Sequence, residues 1–91
     1  MSAAERSARI CNVLGLHARA AAVFVRLSTS FESEIFLSCR DLEVNGKSIM
    51  GVMMLAAGNG SELQIRAEGP DAGPAVEALS RLVEDRFGEE Q

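Results

Sequence analysis

Residues 62–68 alternate strictly between polar and apolar side chains, and this alternation limits the possible folds more than any other feature. Along a strand, Leu63, Ile65 and Ala67 project to one side and the intervening polar residues project to the other. Such a strand needs paired neighbours and a layer that covers only its apolar side. The segment therefore predicts one strand of a sheet with a single covered face.

The remaining strands and helices follow from similar patterns. Alternation predicts a first strand over residues 7–13, with Ala8 and Ile10 on the covered side, a second over residues 33–39, and a shorter third carrying Leu42 and Val44. Helical spacing of apolar residues predicts helices over residues 18–28, within residues 47–56, and after Asp71, which is a good N-cap. The apolar stripe of the last helix consists of Val76, Leu79, Val83 and Phe87, with Ala75 and Leu82 beside them. The order βαββαβα predicts an α+β two-layer domain, in which an antiparallel or mixed sheet of four strands carries three helices on one face.

The length and composition favour a single small domain. The chain has 91 residues, 47% of them apolar, which suffices for one core. We expect one domain over residues 1–91, with an ordered core of about 6–87 and a frayed acidic end, Gly88-Glu89-Glu90-Gln91. No apolar run approaches the ~20 residues of a membrane span, and the start of the chain has no apolar core typical of a secretory signal. We therefore expect a cytoplasmic protein that has no membrane partner.

Charge and cysteine content argue against several classes of function. A net charge of −4 argues against a nucleic-acid partner, because binding to phosphate backbones requires clustered Lys and Arg, so we expect protein partners. Cys11 is expected on the open face of the sheet and Cys39 on the covered face, which would keep both as free thiols. No Cys/His cluster has zinc-site spacing, so no metal is expected.

The segment Gly15-Leu16-His17-Ala18-Arg19 lies where the first strand leads into the first helix, and it contains the only histidine. The first turn of a helix has N–H groups without intrahelical acceptors and carries partial positive charge, which favours a phosphoryl group. A neutral imidazole can attack a phosphoryl donor in line and later leave. We therefore expect His17 to carry a phosphoryl group, bound by the backbone of Ala18 and Arg19 and by the Arg19 guanidinium.

These residues also allow plainer interpretations. A lone histidine often caps a helix or packs in a turn, and an arginine on a helix is often only a solvated charge. The phosphoryl-transfer interpretation is favoured by the combination of His17 with a helix start, with Arg19 two residues on, and with Gly15, which permits a tight turn.

Three segments resemble the HPr family, the histidine-containing phosphocarriers of the bacterial phosphoenolpyruvate phosphotransferase system. The chain segment GLHARAAA (residues 15–22) is similar to the family's active-site segment, NGKSIMGVMMLAAGNGSEL (45–63) to its second motif, and AEGPDAGPAVEAL (67–79) to its last strand and helix. The resemblance implies an open-faced β-sandwich and a carrier rather than an enzyme, and we expect no cofactor. It also implies that His17 accepts phosphate on Nδ1 from the phosphohistidine of Enzyme I and passes it to an acceptor such as an enzyme IIA domain. Arg19 would be the family's active-site arginine.

Two residues depart from the family pattern. Ala20 stands where proline often begins this helix, and Leu14 stands where several members carry Asn or Ser near the phosphoryl group. Alanine keeps a backbone N–H and loosens the turn, so we expect altered stability of the phosphohistidine rather than lost function. Phosphoryl stabilisation should then depend chiefly on backbone N–H groups and Arg19.

Ser48 and the apolar residues near it have both a structural and a functional interpretation. Ser48 can cap the second helix, and the family's second motif contains a serine that HPr kinase/phosphorylase, a regulatory kinase, can phosphorylate. That helix is too short to bury all of its large apolar side chains, so we expect some at a docking surface, although all could instead pack in the core. The predicted docking residues are Ala22, Val23, Arg26 and Leu27 of the first helix and Ile49, Met50, Met53 and Met54 of the second.

Three hypotheses of function from different classes follow. The leading one is a monomeric phosphocarrier between Enzyme I and an enzyme IIA-type acceptor. The second is a regulatory binding module, nitrogen-related or controlled by HPr kinase/phosphorylase, in which phosphorylation of Ser48 governs docking. The third makes His17 a general base in an enzyme, but no second catalytic group stands out. The motif encodes the chemistry and not the acceptor, so the sequence leaves carbon-related, nitrogen-related and regulatory roles open.

Overall fold

The computed structural model describes residues 2–91, so that Met1 of the predicted domain lies outside the described residues. Its elements are β1 (Ser2–Arg9), α1 (Ala18–Thr29), β2 (Glu34–Cys39), β3 (Leu42–Asn45), α2 (Ile49–Met54), β4 (Glu62–Gly69) and α3 (Ala72–Glu84), followed by a 3-10 turn at Arg86–Gly88. The strands form one sheet in the order β1-β4-β2-β3, in which all neighbours are antiparallel. The predicted α+β fold, with three helices packed on an open-faced antiparallel sheet, is confirmed. None of the helices among residues 2–91 has both the length and the apolar character needed to cross a membrane.

The core lies between the sheet and the helices. The three apolar side chains of β4, Leu63, Ile65 and Ala67, are completely buried, as their alternation predicts. From the helical layer, Phe24 of α1 and Leu79 of α3 are equally buried. Burying side chains of this size stabilises the fold by roughly 1.5–3 kcal/mol each, so the contact between the two layers is the main source of stability.

The first strand is displaced from its predicted position. The sequence pattern predicts residues 7–13, whereas β1 pairs in antiparallel register with β4 from Ser2, opposite Gly69, to Arg9, opposite Glu62. The predicted inward side chains are nevertheless correct, because Ala8 and Ile10 are buried. Regular structure therefore starts before the expected core boundary near residue 6, and backbone pairing with β4 fixes where the strand lies, since residues 2–6 show no alternation.

The last helix ends before Phe87, contrary to the prediction that Phe87 belongs to its apolar stripe. α3 ends at Glu84, and Arg86 and Phe87 both adopt left-handed backbone conformations, with φ of 59° and 54°. This reversal turns the chain back, so Phe87 is buried as predicted but reaches the core from a 3-10 turn. The expectation of a frayed end is also wrong in part, because Glu89 hydrogen bonds with the segment before α1.

Asp71 precedes α3 as predicted, but its side chain does not cap that helix. Its carboxylate instead accepts hydrogen bonds from the backbone N–H groups of Glu32 and Ser33, each at 2.9 Å, and from the Ser33 hydroxyl. The hydrogen bonds from the Ser33 hydroxyl and the Glu32 N–H hold the pKa of Asp71 below its ordinary value. Asp71 therefore connects the start of α3 to the segment just before β2.

Both cysteines are free thiols, as predicted, although Cys11 has different surroundings from those expected. Cys39 is buried in the core. Cys11 lies beyond the end of β1, so the alternation of the sheet does not determine its orientation. Its Sγ lies 3.3 Å from the carbonyl oxygen of Glu84, at the end of α3.

The loop between β1 and α1 packs against the turn that precedes β4. Leu16 N–H donates to Ala57 O at 2.9 Å, and Asn59 Nδ2 donates to Asn12 O at 3.0 Å. Gly15 lies between these contacts with φ of 65°, and a Cβ added there would lie 2.5 Å from Ala57 O. Only glycine fits both the backbone conformation and the space, so this close approach fixes the chain two residues before His17.

Replacing Gly15 tests this contact. We expect Gly15→Ala to lower the free energy of unfolding by about 1–3 kcal/mol, because alanine is strained at positive φ and its Cβ would collide with backbone. Gly58→Ala is a matched control, since a Cβ there has open space and Gly58 has no positive φ. Its effect should stay within about 0.5 kcal/mol. Equal denaturation midpoints for the two variants would show that the close approach contributes nothing to stability.

Candidate functional site

His17 is the N-cap of α1. Its backbone is extended, with φ of −74° and ψ of 178°, and its carbonyl accepts a hydrogen bond from Ala21 N–H at 2.9 Å. The imidazole does not cap the helix, which excludes one of the two plainer interpretations. The N–H groups of Ala18 and Arg19 belong to the first turn, where no intrahelical acceptor exists. His17 therefore lies at the start of a helix, as the sequence predicts.

A carboxylate from the end of the chain contacts the imidazole. Glu89 Oε2 forms a hydrogen bond with His17 Nε2, and Glu89 Oε1 accepts a hydrogen bond from Asn12 Nδ2 at 2.9 Å. The His17 side chain is 28% exposed and the Glu89 side chain 15%. Within residues 2–91, no hydrogen bond engages His17 Nδ1. One ring nitrogen is thus occupied by protein and the other is free of protein partners in this part of the chain.

The charges around Glu89 keep it ionised. Burial alone would raise its pKa, but hydrogen bonds from Asn12 and His17 and electrostatic interactions with His17 and Arg19 together hold the pKa of Glu89 below its ordinary value. The carboxylate therefore remains negative at neutral pH and accepts hydrogen bonds without donating any.

The buried side chain of Asn12 orients this carboxylate. Its side chain is fully buried, and its Nδ2 donates to Gly15 O at 2.9 Å as well as to Glu89. Its Oδ1 has no hydrogen-bond partner among residues 2–91. Both acceptors lie on the Nδ2 side, so the two hydrogen bonds define the orientation of the amide.

The site opens as a cleft of about 650 Å³ beside α1. It is lined by Val13, Leu14, His17, Ala18, Arg19, Glu89 and Gln91. The structure thus brings together the predicted residues His17, Ala18 and Arg19, and Arg19 is exposed at the cleft. Leu14, one of the two departures from the family pattern, presents an apolar side chain that is 67% exposed.

Ser48 does not line this cleft; it caps α2. Its Oγ accepts a hydrogen bond from Gly51 N–H at 3.1 Å, which confirms the predicted capping role. α2 packs against α1, so Ser48 belongs to the same helical layer as His17.

The apolar residues of α2 are at the surface. Ile49, Met50, Met53 and Met54 are all exposed, whereas Val52 of the same helix is buried. The alternative that all four pack in the core is therefore wrong. On α1, Arg26 is exposed, and Ala22 and Val23 are half-buried. Leu27 is half-buried against the core and lines a groove with Ala78 and Leu82 of α3, so it lies on the α3 side of the helix.

Two polar residues of the site are not predicted from the sequence. The alternating pattern places Asn12 within the first strand, and the acidic end of the chain predicts fraying at Glu89. The contact between Glu89 and His17 depends on the chain reversal at Arg86 and Phe87, for which the sequence provides no clear pattern. An asparagine three residues before a glycine is typical of a turn, and this is the signal in the sequence that points to Asn12.

Comparisons with known proteins agree with this fold. A family model described as the PTS HPr component phosphorylation site matches residues 4–85. Phosphocarrier protein HPr of Xylella fastidiosa (strain Temecula1) is 48% identical over 86 residues, covering 94% of this chain and 97% of the relative. Phosphocarrier protein NPr of Shewanella violacea is 37% identical over 89 residues, covering 98% of each chain. The crystal structure of HPr-C-His from Thermoanaerobacter tengcongensis matches with a TM-score of 0.91 and 43% identity, covering 97% of this chain and 99% of that one. This chain therefore belongs to the HPr family of phosphocarrier proteins of the phosphotransferase system.

Proposed function

We propose that this protein carries a phosphoryl group on His17 Nδ1, which it receives from the phosphohistidine of Enzyme I and delivers to an enzyme IIA-type acceptor. We further propose that it acts as a single-domain monomer in the cytoplasm. The observation that carries the proposal is the location of His17 at the N-terminus of α1, beside Arg19 in an open cleft. The nucleophile, a positively charged helix end and a guanidinium are then available to one phosphoryl group.

The transfer requires little beyond this arrangement. The Nδ1 lone pair attacks phosphorus in line, the N–P bond of the donor breaks, and its electron pair returns to the donor imidazole. Arg19 and the N–H groups of Ala18 and Arg19 would neutralise the phosphoryl oxygens during both transfers. Because an imidazole is also a good leaving group, the same atoms serve the return step to the acceptor.

Labelling with phosphoenolpyruvate and Enzyme I tests the proposal. We expect the wild-type protein to gain one acid-labile phosphoryl group and His17→Ala to gain none, since the chain contains no other histidine. Circular dichroism of both proteins establishes that each is folded. An unlabelled wild type, or equal labelling of His17→Ala, would refute the proposed function.

Arg19 can be tested separately from the nucleophile. We expect Arg19→Ala to slow transfer in both directions by about tenfold or more, because a charged donor to the phosphoryl group is lost. Arg19→Lys keeps the positive charge but not the planar guanidinium, so its transfer rate should lie between those of the wild type and Arg19→Ala. Arg81→Ala removes another exposed positive charge, from α3, where Arg81 pairs with Glu77, and should behave as the wild type. Near-normal rates for Arg19→Ala would show that Arg19 has no role in phosphoryl binding.

We also propose that docking involves the exposed apolar residues of α2 with Ala22, Val23, Arg26 and Leu27 of α1. Ile49, Met50, Met53 and Met54 support this, because flexible exposed methionines adapt to several partners. Leu27 has the weakest support of the set, since it faces the α3 side of the helix. Val13 and Leu14, both exposed, add apolar surface at the cleft that contains His17.

Phosphorylation of Ser48 by an HPr kinase/phosphorylase-type enzyme is the regulatory part of the proposal. A phosphate on Ser48 would add roughly two negative charges next to Ile49 and Met50, on the proposed docking surface. The charge would oppose binding of an apolar or acidic partner patch. The similarity to phosphocarrier protein NPr supports the alternative of a nitrogen-related, mainly regulatory role.

Two substitutions at Ser48 distinguish the effect of negative charge from the effect of helix capping. Ser48→Asp and Ser48→Asn should both keep α2 capped, because Asp, Asn and Ser are comparable N-caps. We expect Ser48→Asp to slow labelling by Enzyme I, whereas Ser48→Asn stays near the wild-type rate. Equal rates would contradict charge control at Ser48. If a kinase labels Ser48 with ATP, and if only that form binds a regulator even in His17→Ala, the mainly regulatory alternative is favoured.

A further inference from the structure

The contact between Glu89 and His17 joins two residues that are 72 positions apart in the sequence. The chain reversal at Arg86 and Phe87 brings Glu89 back to the start of α1. Its side chain is less exposed than that of His17, and it is also held by Asn12. Glu89 is therefore part of the cleft, whereas its neighbour Glu90 is exposed.

Asn12 determines that a hydrogen-bond acceptor, and not a donor, lies beside its Nδ2. Its Nδ2 faces two acceptors, Gly15 O and Glu89 Oε1, each at 2.9 Å. Turning the amide around would place Oδ1 against both acceptors, so the buried Asn12 has one favourable orientation. The group next to Nδ2 must therefore accept a hydrogen bond, and one oxygen of Glu89 meets that need.

The second oxygen of Glu89 determines the protonation of the ring. An ionised carboxylate only accepts hydrogen bonds, so Nε2 must carry the proton in its contact with Glu89. In a neutral imidazole the other nitrogen, Nδ1, then has a free lone pair. We propose that Glu89 is a positioning residue for phosphoryl transfer, which holds His17 in the Nε2–H tautomer and so presents Nδ1 as the nucleophile. The inference deepens the proposed function and rests on it.

This tautomer lets the reaction proceed without moving a proton at His17. When the Nδ1 lone pair forms the bond to phosphorus, the donor's bond to phosphorus breaks and that electron pair leaves with the donor. The ring keeps its Nε2 proton and becomes positively charged opposite the Glu89 carboxylate. When the phosphoryl group passes on, the electron pair of the N–P bond returns to Nδ1 and the original tautomer is restored.

Glu89→Gln is the informative variant, because glutamine has one acceptor and one donor where glutamate has two acceptors. Asn12 Nδ2 claims the acceptor, so the glutamine NH₂ faces Nε2 and favours the opposite tautomer, with the proton on Nδ1. Glu89→Ala removes both interactions and leaves Nε2 to solvent. Glu90→Gln removes the same charge from the exposed neighbour and is the matched control.

The test measures the full-length unphosphorylated proteins by ring-nitrogen NMR and their initial rates of labelling by phospho-Enzyme I. We expect the wild type and Glu90→Gln to show the Nε2–H tautomer and equal rates. Glu89→Gln should shift toward the Nδ1–H tautomer and react about tenfold more slowly, with Glu89→Ala between them.

The two arms of the experiment separate this inference from the proposed function. If the wild type is labelled on His17 but Glu89→Gln keeps the wild-type tautomer, the positioning role is refuted and the carrier function stands, whatever the rate of the variant. A wild-type labelling rate in Glu89→Gln refutes the role in the same way. If the wild type itself is not labelled, the proposed function fails, and with it the role of Glu89 in transfer.

Discussion

The burial of β4 between β1 and β2 and beneath the helices is the constraint on which the rest of the structure depends. β4 pairs with a neighbour along both edges, and its inward side chains are completely buried. Its register with β1 determines that β1 ends at Arg9, opposite Glu62. α1 begins at Ala18 and buries Phe24 in the same core as the inward side chains of β4. The loop that contains His17 is therefore held between a fixed strand end and a fixed helix start.

The candidate site combines segments that are distant in sequence and that meet at the start of α1. The turn before β4 holds the loop through the backbone of Ala57 and the side chain of Asn59. The reversal after α3 supplies Glu89. Most of the hydrogen bonds that build this arrangement go to backbone atoms, which cannot move without disturbing the core. A small domain can in this way hold a reactive side chain in a defined position although it has no deep pocket.

The sequence predicts the features that depend on periodicity and local chemistry, and it misses those that depend on tertiary contacts. The alternation around Leu63 and Ile65, the helix that begins after His17 and the Ser48 cap are all correct. The limits of β1 are missed because Ser2 to Arg6 pair through their backbone and have no alternating pattern. Asp71 is a suitable cap by type, yet it bonds to Ser33, because the fold brings the segment before β2 next to the start of α3, a tertiary contact that no local pattern encodes. Glu89 is missed for a similar reason, because its position follows from left-handed residues at 86 and 87.

The cleft around His17 offers few polar groups to a phosphoryl group, and the apolar residues nearby suggest how those few groups could suffice. In the free protein, Arg19 is exposed to water, which weakens its attraction for an anion. The exposed apolar side chains include Val13, Leu14 and the methionines of α2. Removing such side chains from water costs little free energy, so a partner that covers them would exclude water without leaving polar groups unpaired. The charges of Arg19 and of the helix start would then act through a lower dielectric constant. In this way the apolar Leu14, which itself offers no polar contact, would strengthen the contacts of Arg19 and the helix start when a partner covers the cleft.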